Sequence, residues 1–216
     1  MFSVTPKLLP YKAYREARQR AYKLIHDARR HKKLYKLYKF NVKLIGPQKR
    51  RCVIQDNNGK YDLDYQIVLT HNCKGSLKPT DIKKAFLCAF TECANKNEKV
   101  EDSTTVVTVR CSKSNNQFIV SQEKFSFDFV IIDQTESLRI RRNGQNQYTW
   151  VELPSKNTYI YERFNALKGY DQRALLEEFI IPRVIEEKKK HESIRIPTID
   201  IFYEGVNNFY HKYQLK

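Results

Sequence analysis

No stretch of the 216 residues approaches the ~20 consecutive apolar residues that a membrane span requires. The first residues, MFSVTPKLLPYK, lack the long apolar core of a secretion signal. Cysteine is sparse and badly spaced for structural use. Cys52, Cys73, Cys88, Cys93 and Cys111 are odd in number and form no Cys-x-x-Cys pair, which argues against a disulfide framework or a zinc knuckle. Reduced thiols in a cytoplasmic protein are the expectation. Internal repeats and low-complexity linkers are also absent. What is present is enough for a core: 41% hydrophobic and 12% aromatic residues exclude wholesale disorder, and the length suits one domain or a catalytic module with a small helical lobe.

Acidic residues are outnumbered, 24 Asp and Glu against 40 Lys and Arg, and the formal charge of +16 is unevenly spread. Residues 1–51 hold sixteen Lys and Arg against Glu16 and Asp27, a net +14 in the first quarter of the chain. So one-sided a field favours polyanions, and residues 12–51 are the candidate surface for a nucleic acid acting as acceptor or activator. The competing reading is a solvated helix face kept soluble by its charge. Helical spacing runs from Tyr11 to Lys39 through Tyr14, Ala17, Ala21, Leu24, Ile25, Ala28, Leu34 and Leu37, with Pro10 just ahead, where proline is tolerated. Tyr22, Tyr35 and Tyr38 are interleaved with the basic residues and suit either base stacking or core packing. His26 and His31 fall on the polar face and are assigned no role.

The chemistry-bearing stretch follows. FNVKLIGPQKRRCVIQDNNGKYDLDYQIVL, residues 40–69, contains Asp62 and Asp64 two positions apart, on the same face of a strand. The strand continues through apolar residues, and two like charges on a buried strand are costly unless a cation sits between them. Oxygen donors of this kind suit Mg2+. Asp128 is the only charge in FSFDFVII. On an adjacent strand it would complete a two-metal site for phosphoryl chemistry. The plain alternative is a set of solvated strand-edge carboxylates. Upstream, Val42–Ile45 reads as a short strand ending on Gly46, followed by Pro47, Gln48, Lys49, Arg50 and Arg51. Backbone amides at such a turn can hold phosphate.

LIGPQKRR, then YDLDYQIVL, then FSFDFVII resembles the polymerase-beta-like nucleotidyltransferase superfamily over residues 40–132. The long helix ahead of the glycine resembles the branch of cyclic nucleotide second-messenger synthases and oligoadenylate synthases. The resemblance implies an α+β fold: a mixed β-sheet nucleotidyltransferase core with a long N-terminal helix and a C-terminal helical lobe. It implies Asp62, Asp64 and Asp128 as catalytic metal ligands for Mg2+ or Mn2+. It also implies Gly46, Pro47, Gln48, Lys49 and Arg50 around the phosphates of an NTP such as ATP. The activity implied is transfer of a nucleotidyl group to a hydroxyl, giving oligonucleotide or cyclic nucleotide signals or modified RNA ends. Pro47 stands where the family has Ser and supplies neither a hydroxyl nor an N–H. Either Gln48, Lys49 and Arg50 take over, or the chain is catalytically impaired and binds nucleic acid through its basic helix. A primase-type site would carry Ser-x-His between Asp64 and Asp128, and no such triplet occurs.

The remainder is expected as a helix opening at Thr80 and Asp81, strands over Thr104–Cys111, Gln117–Ser121 and Phe125–Ile132, and a hairpin of Leu138–Arg142 and Gln147–Val151 turning at Asn143-Gly144. After about residue 152 the pattern becomes helical: Thr158–Leu167, a stop at Gly169, a helix capped by Asp171 and kinked at Pro182, and a last helix after Pro197. This sets the expected division at 1–151 and 152–216.

Overall fold

Pro10 precedes the first helix, and its carbonyl accepts from Tyr14 N at 3.1 Å. This helix, α1 (Tyr11–Arg30), buries Ala13, Tyr14, Ala17, Ala21, Leu24, Ile25 and Ala28 along one stripe, the three-and-four spacing of an amphipathic helix. Arg29 and Arg30 in its last turn complement the helix dipole. The expected single helix to Lys39 does not form. His31 is extended (φ −66°, ψ 135°) and ends α1, a four-residue α2 (Lys32–Tyr35) follows, and residues from Tyr38 belong to a strand. Helical spacing persists across the break because Leu34 enters the same core, whereas Tyr38–Lys39 are claimed by backbone pairing with a neighbouring strand. That pairing outweighs local helical preference.

The computed structural model describes residues 7–35, 38–46, 53–56, 59–72, 78–111, 124–133, 138–145, 147–153, 158–190 and 198–215. They form two units. One comprises residues 10–53 and 60–153, and the other 1–9, 54–59 and 154–216, so the second is assembled from three segments of chain.

The first unit is built on a mixed sheet of β2 (Tyr38–Leu44), β4 (Tyr61–Asn72), β5 (Glu98–Asp102), β6 (Val106–Cys111), β7 (Phe125–Asp133), β8 (Leu138–Arg142) and β9 (Tyr148–Glu152). Its order is β2-β4-β7-β6-β5, with β8 pairing the end of β7 and β9 pairing β8. Only β4 and β7 run parallel among these pairs. Along β4 the side chains alternate, with Tyr61, Leu63, Tyr65 and Ile67 buried and Asp62, Asp64 and Gln66 at least partly exposed. The apolar face carries Phe127, Phe129, Val107 and Val109, each fully buried. Helix α3 (Pro79–Cys93) opens with Pro79 and Asp81 in its first turn and packs there: Phe90 stacks on Phe129 at 4.6 Å, and Phe86 meets Phe40 edge-on at 5.1 Å. Tyr61 and Tyr65 stack on Phe125 and Phe129 at 5.5 and 5.3 Å, so both are core. Arg20 is drawn inward from α1, donating Nε to Glu98 Oε1 at 2.6 Å and a second N–H to Oε2.

Lys83 of α3 is fully buried. Its Nζ donates to Val106 O at 2.7 Å and Ser103 O at 3.3 Å, with Asp102 Oδ1 at 3.6 Å. Burial lowers its pKa to about 8, only partly opposed by Asp102. Among the described cysteines, Cys88, Cys93 and Cys111 are free thiols.

The second unit pairs β1 (Lys7–Leu8) with β3 (Ile54–Gln55) and adds α4 (Thr158–Ala166), α5 (Gly169–Leu175), α6 (Ile181–Lys189) and α7 (Thr198–Lys212). Gly169 begins α5 rather than stopping a helix, and Lys168 is the N-cap. A π-helical turn over Leu176–Ile180 leads directly into α6, and Pro182 sits in the first turn of α6. Phe164, Leu175, Ile180 and Val206 fill this core. The expected strand Gln117–Ser121 lies outside the described residues. Among the described residues, no helix is long and apolar enough to cross a membrane.

Candidate active site

The face of the sheet opposite α3 is polar, and strand register gathers it. Asp64 is the Cα partner of Asp128 across the parallel pair β4–β7, and Asp62 is the partner of Ser126. On the other side of β7, Thr108 of β6 is opposite Asp128 and Arg110 opposite Ser126. Residues paired in register share a face, so three carboxylates and their neighbours stand together. Gly46 lies two residues past the end of β2. The amide of Ile45 donates to Asp64 O at 2.9 Å, and Gly46 then takes φ 70°, the left-handed region that glycine enters without steric cost. The glycine bend is therefore bound to the backbone of Asp64. Pro47, Gln48, Lys49, Arg50 and Arg51 lie outside the described residues.

Asp128 is half-buried beside the buried Thr108 and Ser126. Burial raises its pKa; Thr108 opposes this by hydrogen bonding, Asp62 reinforces it by like charge, and Arg110 opposes it again. Thr108 Oγ1 donates to Asp128 Oδ1 at 2.6 Å, and Ser103 Oγ lies 3.1 Å from Thr108 Oγ1. A hydroxyl has one proton to give. With that of Thr108 committed to the carboxylate, Ser103 is the donor in the second bond, and a directed relay Ser103–Thr108–Asp128 results. Ser126 Oγ donates to Asp62 Oδ1. Arg110 Nε donates to Glu101 Oε2 at 2.6 Å. A cavity of about 430 Å3 opens at Asp62, lined also by Ser126, Arg110, Lys60, Lys99 and Lys124.

All three side chains offer oxygen, the donor type a hard divalent ion takes, and Asp64 and Asp128 sit on paired strands. Among the described residues, however, the ligand atoms of the three are not gathered within 4.8 Å of one another, so holding an ion requires these side chains to draw together. Thr108, Ser126 and Arg110 were not singled out from sequence. Their signal was present, since Ser126 precedes Asp128 by two and Thr108 and Arg110 are the polar positions of VVTVRC at strand period.

No protein-family model matches the sequence, and no curated protein matches it. Solved structures do match. The CD-NTase CdnG of Bradyrhizobium diazoefficiens in complex with GTP aligns at TM-score 0.53 and 13% identity, over 79% of this chain and 48% of that one. GTP-bound DncV of Vibrio cholerae aligns at 0.53 and 13%, over 93% and 52%. CdnC of E. coli MS115-1 with ATP aligns at 0.52 and 14%, over 94% and 62%. The chain shares its fold with these CD-NTase structures. The chain spans between 48% and 62% of the length of these three structures. The α+β architecture expected from the sequence is the one observed, with the mixed sheet carrying Asp62, Asp64 and Asp128 on one face.

Proposed function

We propose that this chain transfers a nucleotidyl group from an NTP to a hydroxyl acceptor, with Asp62, Asp64 and Asp128 as the catalytic carboxylates. The observation that carries the reading is the pairing of Asp64 with Asp128 across β4–β7, with Asp62 on the same face. Mg2+ or Mn2+ bound by these three residues would neutralise charge on the triphosphate and on the attacking oxygen. Asp128 is the proposed acceptor of the proton of the attacking hydroxyl. The Ser103–Thr108 relay fixes its orientation. Gly46 allows close approach of the backbone to phosphate, and Gln48, Lys49 and Arg50 are the proposed groups that replace what Pro47 cannot supply. The nucleotides in the structural neighbours, GTP and ATP, support an NTP as substrate. Oligonucleotide or cyclic nucleotide signals and modified RNA ends are the candidate products, in the cytoplasm.

A second reading rests on Pro47 and on the exposed Lys12, Arg15, Lys23, Arg29 and Arg30 of α1. In it the fold binds nucleic acid electrostatically and turnover has been lost. Labelled NTPs with Mg2+ or Mn2+, with and without RNA or double-stranded DNA, separate the two. Product that disappears in Asp64→Asn supports transfer. Absence of product, with salt-sensitive nucleic-acid binding that Asp64→Asn leaves intact, supports the second.

A further inference from the structure

We propose that the first unit carries a second metal site, for Zn2+, built from His31, Cys88 and Glu92 and unconnected with the three aspartates. Cys88 and Glu92 are four apart on α3 and so share one face of the helix. His31 is the extended residue that separates α1 from α2, and its imidazole is turned onto that face. His31 Nε2 lies 2.8 Å from Glu92 Oε2, and Cys88 Sγ donates to Glu92 Oε1 at 3.0 Å. One donor atom from each of the three residues lies within 4.8 Å of the other two. Tetrahedral zinc with ordinary Zn–S, Zn–N and Zn–O bonds places its ligand atoms about 3.3 to 3.6 Å apart, so the three donors need move by only fractions of an ångström to a little over one.

The chemistry of the set selects the ion. One thiol sulfur, one imidazole nitrogen and one carboxylate oxygen suit Zn2+ and do not suit Mg2+ or Ca2+, which take oxygen ligands alone. The His31 side chain is 9% exposed and that of Glu92 52%, so the ion is reached from solvent and keeps a water as fourth ligand. Binding releases the Cys88 thiol proton to solvent. It also leaves the imidazole proton on Nδ1, so the 3.3 Å contact from Lys33 N must open. The site ties the break between α1 and α2 to α3 and so fixes where the basic helix ends.

Co2+ titrated into the chelator-treated full chain is the test. Wild type is expected to show one saturable equivalent with a thiolate-to-cobalt charge-transfer band, displaced by Zn2+. Asp128→Asn keeps the band, which separates this site from the aspartate cluster. Cys88→Ser loses the band, and His31→Gln binds at least tenfold more weakly, both with wild-type circular dichroism. Zn2+ raises the melting temperature of wild type and not of Cys88→Ser. A wild-type protein without a saturable cobalt spectrum, or a band that survives in Cys88→Ser, overturns the proposal and leaves a hydrogen-bonded latch only.

Discussion

Thr108 Oγ1 donates to Asp128 Oδ1 at 2.6 Å across the antiparallel pair β6–β7. The bond orients a carboxylate that faces Asp64 on its other side. If these residues act as proposed, Thr108→Val removes the positioning bond without removing the carboxylate. Partners of metal-ligating side chains typically matter by roughly 10–100-fold. Titration of Mg2+ in a nucleotidyl-transfer assay should show a loss of that size in metal affinity or turnover, while Asp128→Asn abolishes product.

Gly46 sits at φ 70° immediately after the amide that binds Asp64 O. Gly46→Ala forces a Cβ into the left-handed region, at a cost of roughly 1–2 kcal/mol. The expected result is a matching fall in urea stability together with weaker nucleotide binding by calorimetry. A change in stability with unaltered binding would detach the bend from the phosphates.

The sequence made the acidic cluster legible because its signals are local. Asp62 and Asp64 stand at strand period, and Asp128 is a single charge in an apolar run whose burial is costly unless compensated. The hairpin at Asn143-Gly144 and the helix opening at Pro79 were legible for the same reason. What escaped depends on pairing partners distant in sequence. Tyr38–Leu44 joins β4 although helical spacing runs into it, and Glu98–Asp102, with its charges, becomes a strand only because β6 lies beside it. Ile54–Gln55 is a strand only through Lys7–Leu8. His31 reads as polar surface until α3 is packed against the end of α1.

Arg20 and Glu98 are 78 residues apart and nearly withdrawn from water, their side chains 10% and 5% exposed. Burial alone would raise the Glu98 pKa. The Arg20 fork and the Asn95 N–H outweigh it and hold the carboxyl below its ordinary range. Removing one partner leaves the other as an uncompensated charge, so Arg20→Ala should cost roughly 3 kcal/mol. The double change Arg20→Met with Glu98→Leu should recover most of it in the same denaturant titration.

Lys83 sets a dependence on alkaline pH. Its folded pKa of about 8 lies below the ordinary 10.5, so between those values the folded protein has released a proton that the unfolded chain still holds. Stability from this group therefore rises with pH through that window and is flat below it. Relative to Lys83→Met, wild type should gain at most about 3 kcal/mol between pH 7.5 and 10.5. Chemical denaturation of both proteins across that range checks the slope.

The central claim is that Asp62, Asp64 and Asp128 together hold divalent ions against a triphosphate. It is tested most directly by a crystal of the chain with Mn2+ and a non-hydrolysable NTP, read by anomalous scattering. The account requires a manganese peak bounded by the three carboxylates, with the triphosphate against Gly46. Nucleotide bound with no manganese at those aspartates, or a triphosphate seated elsewhere, would contradict it.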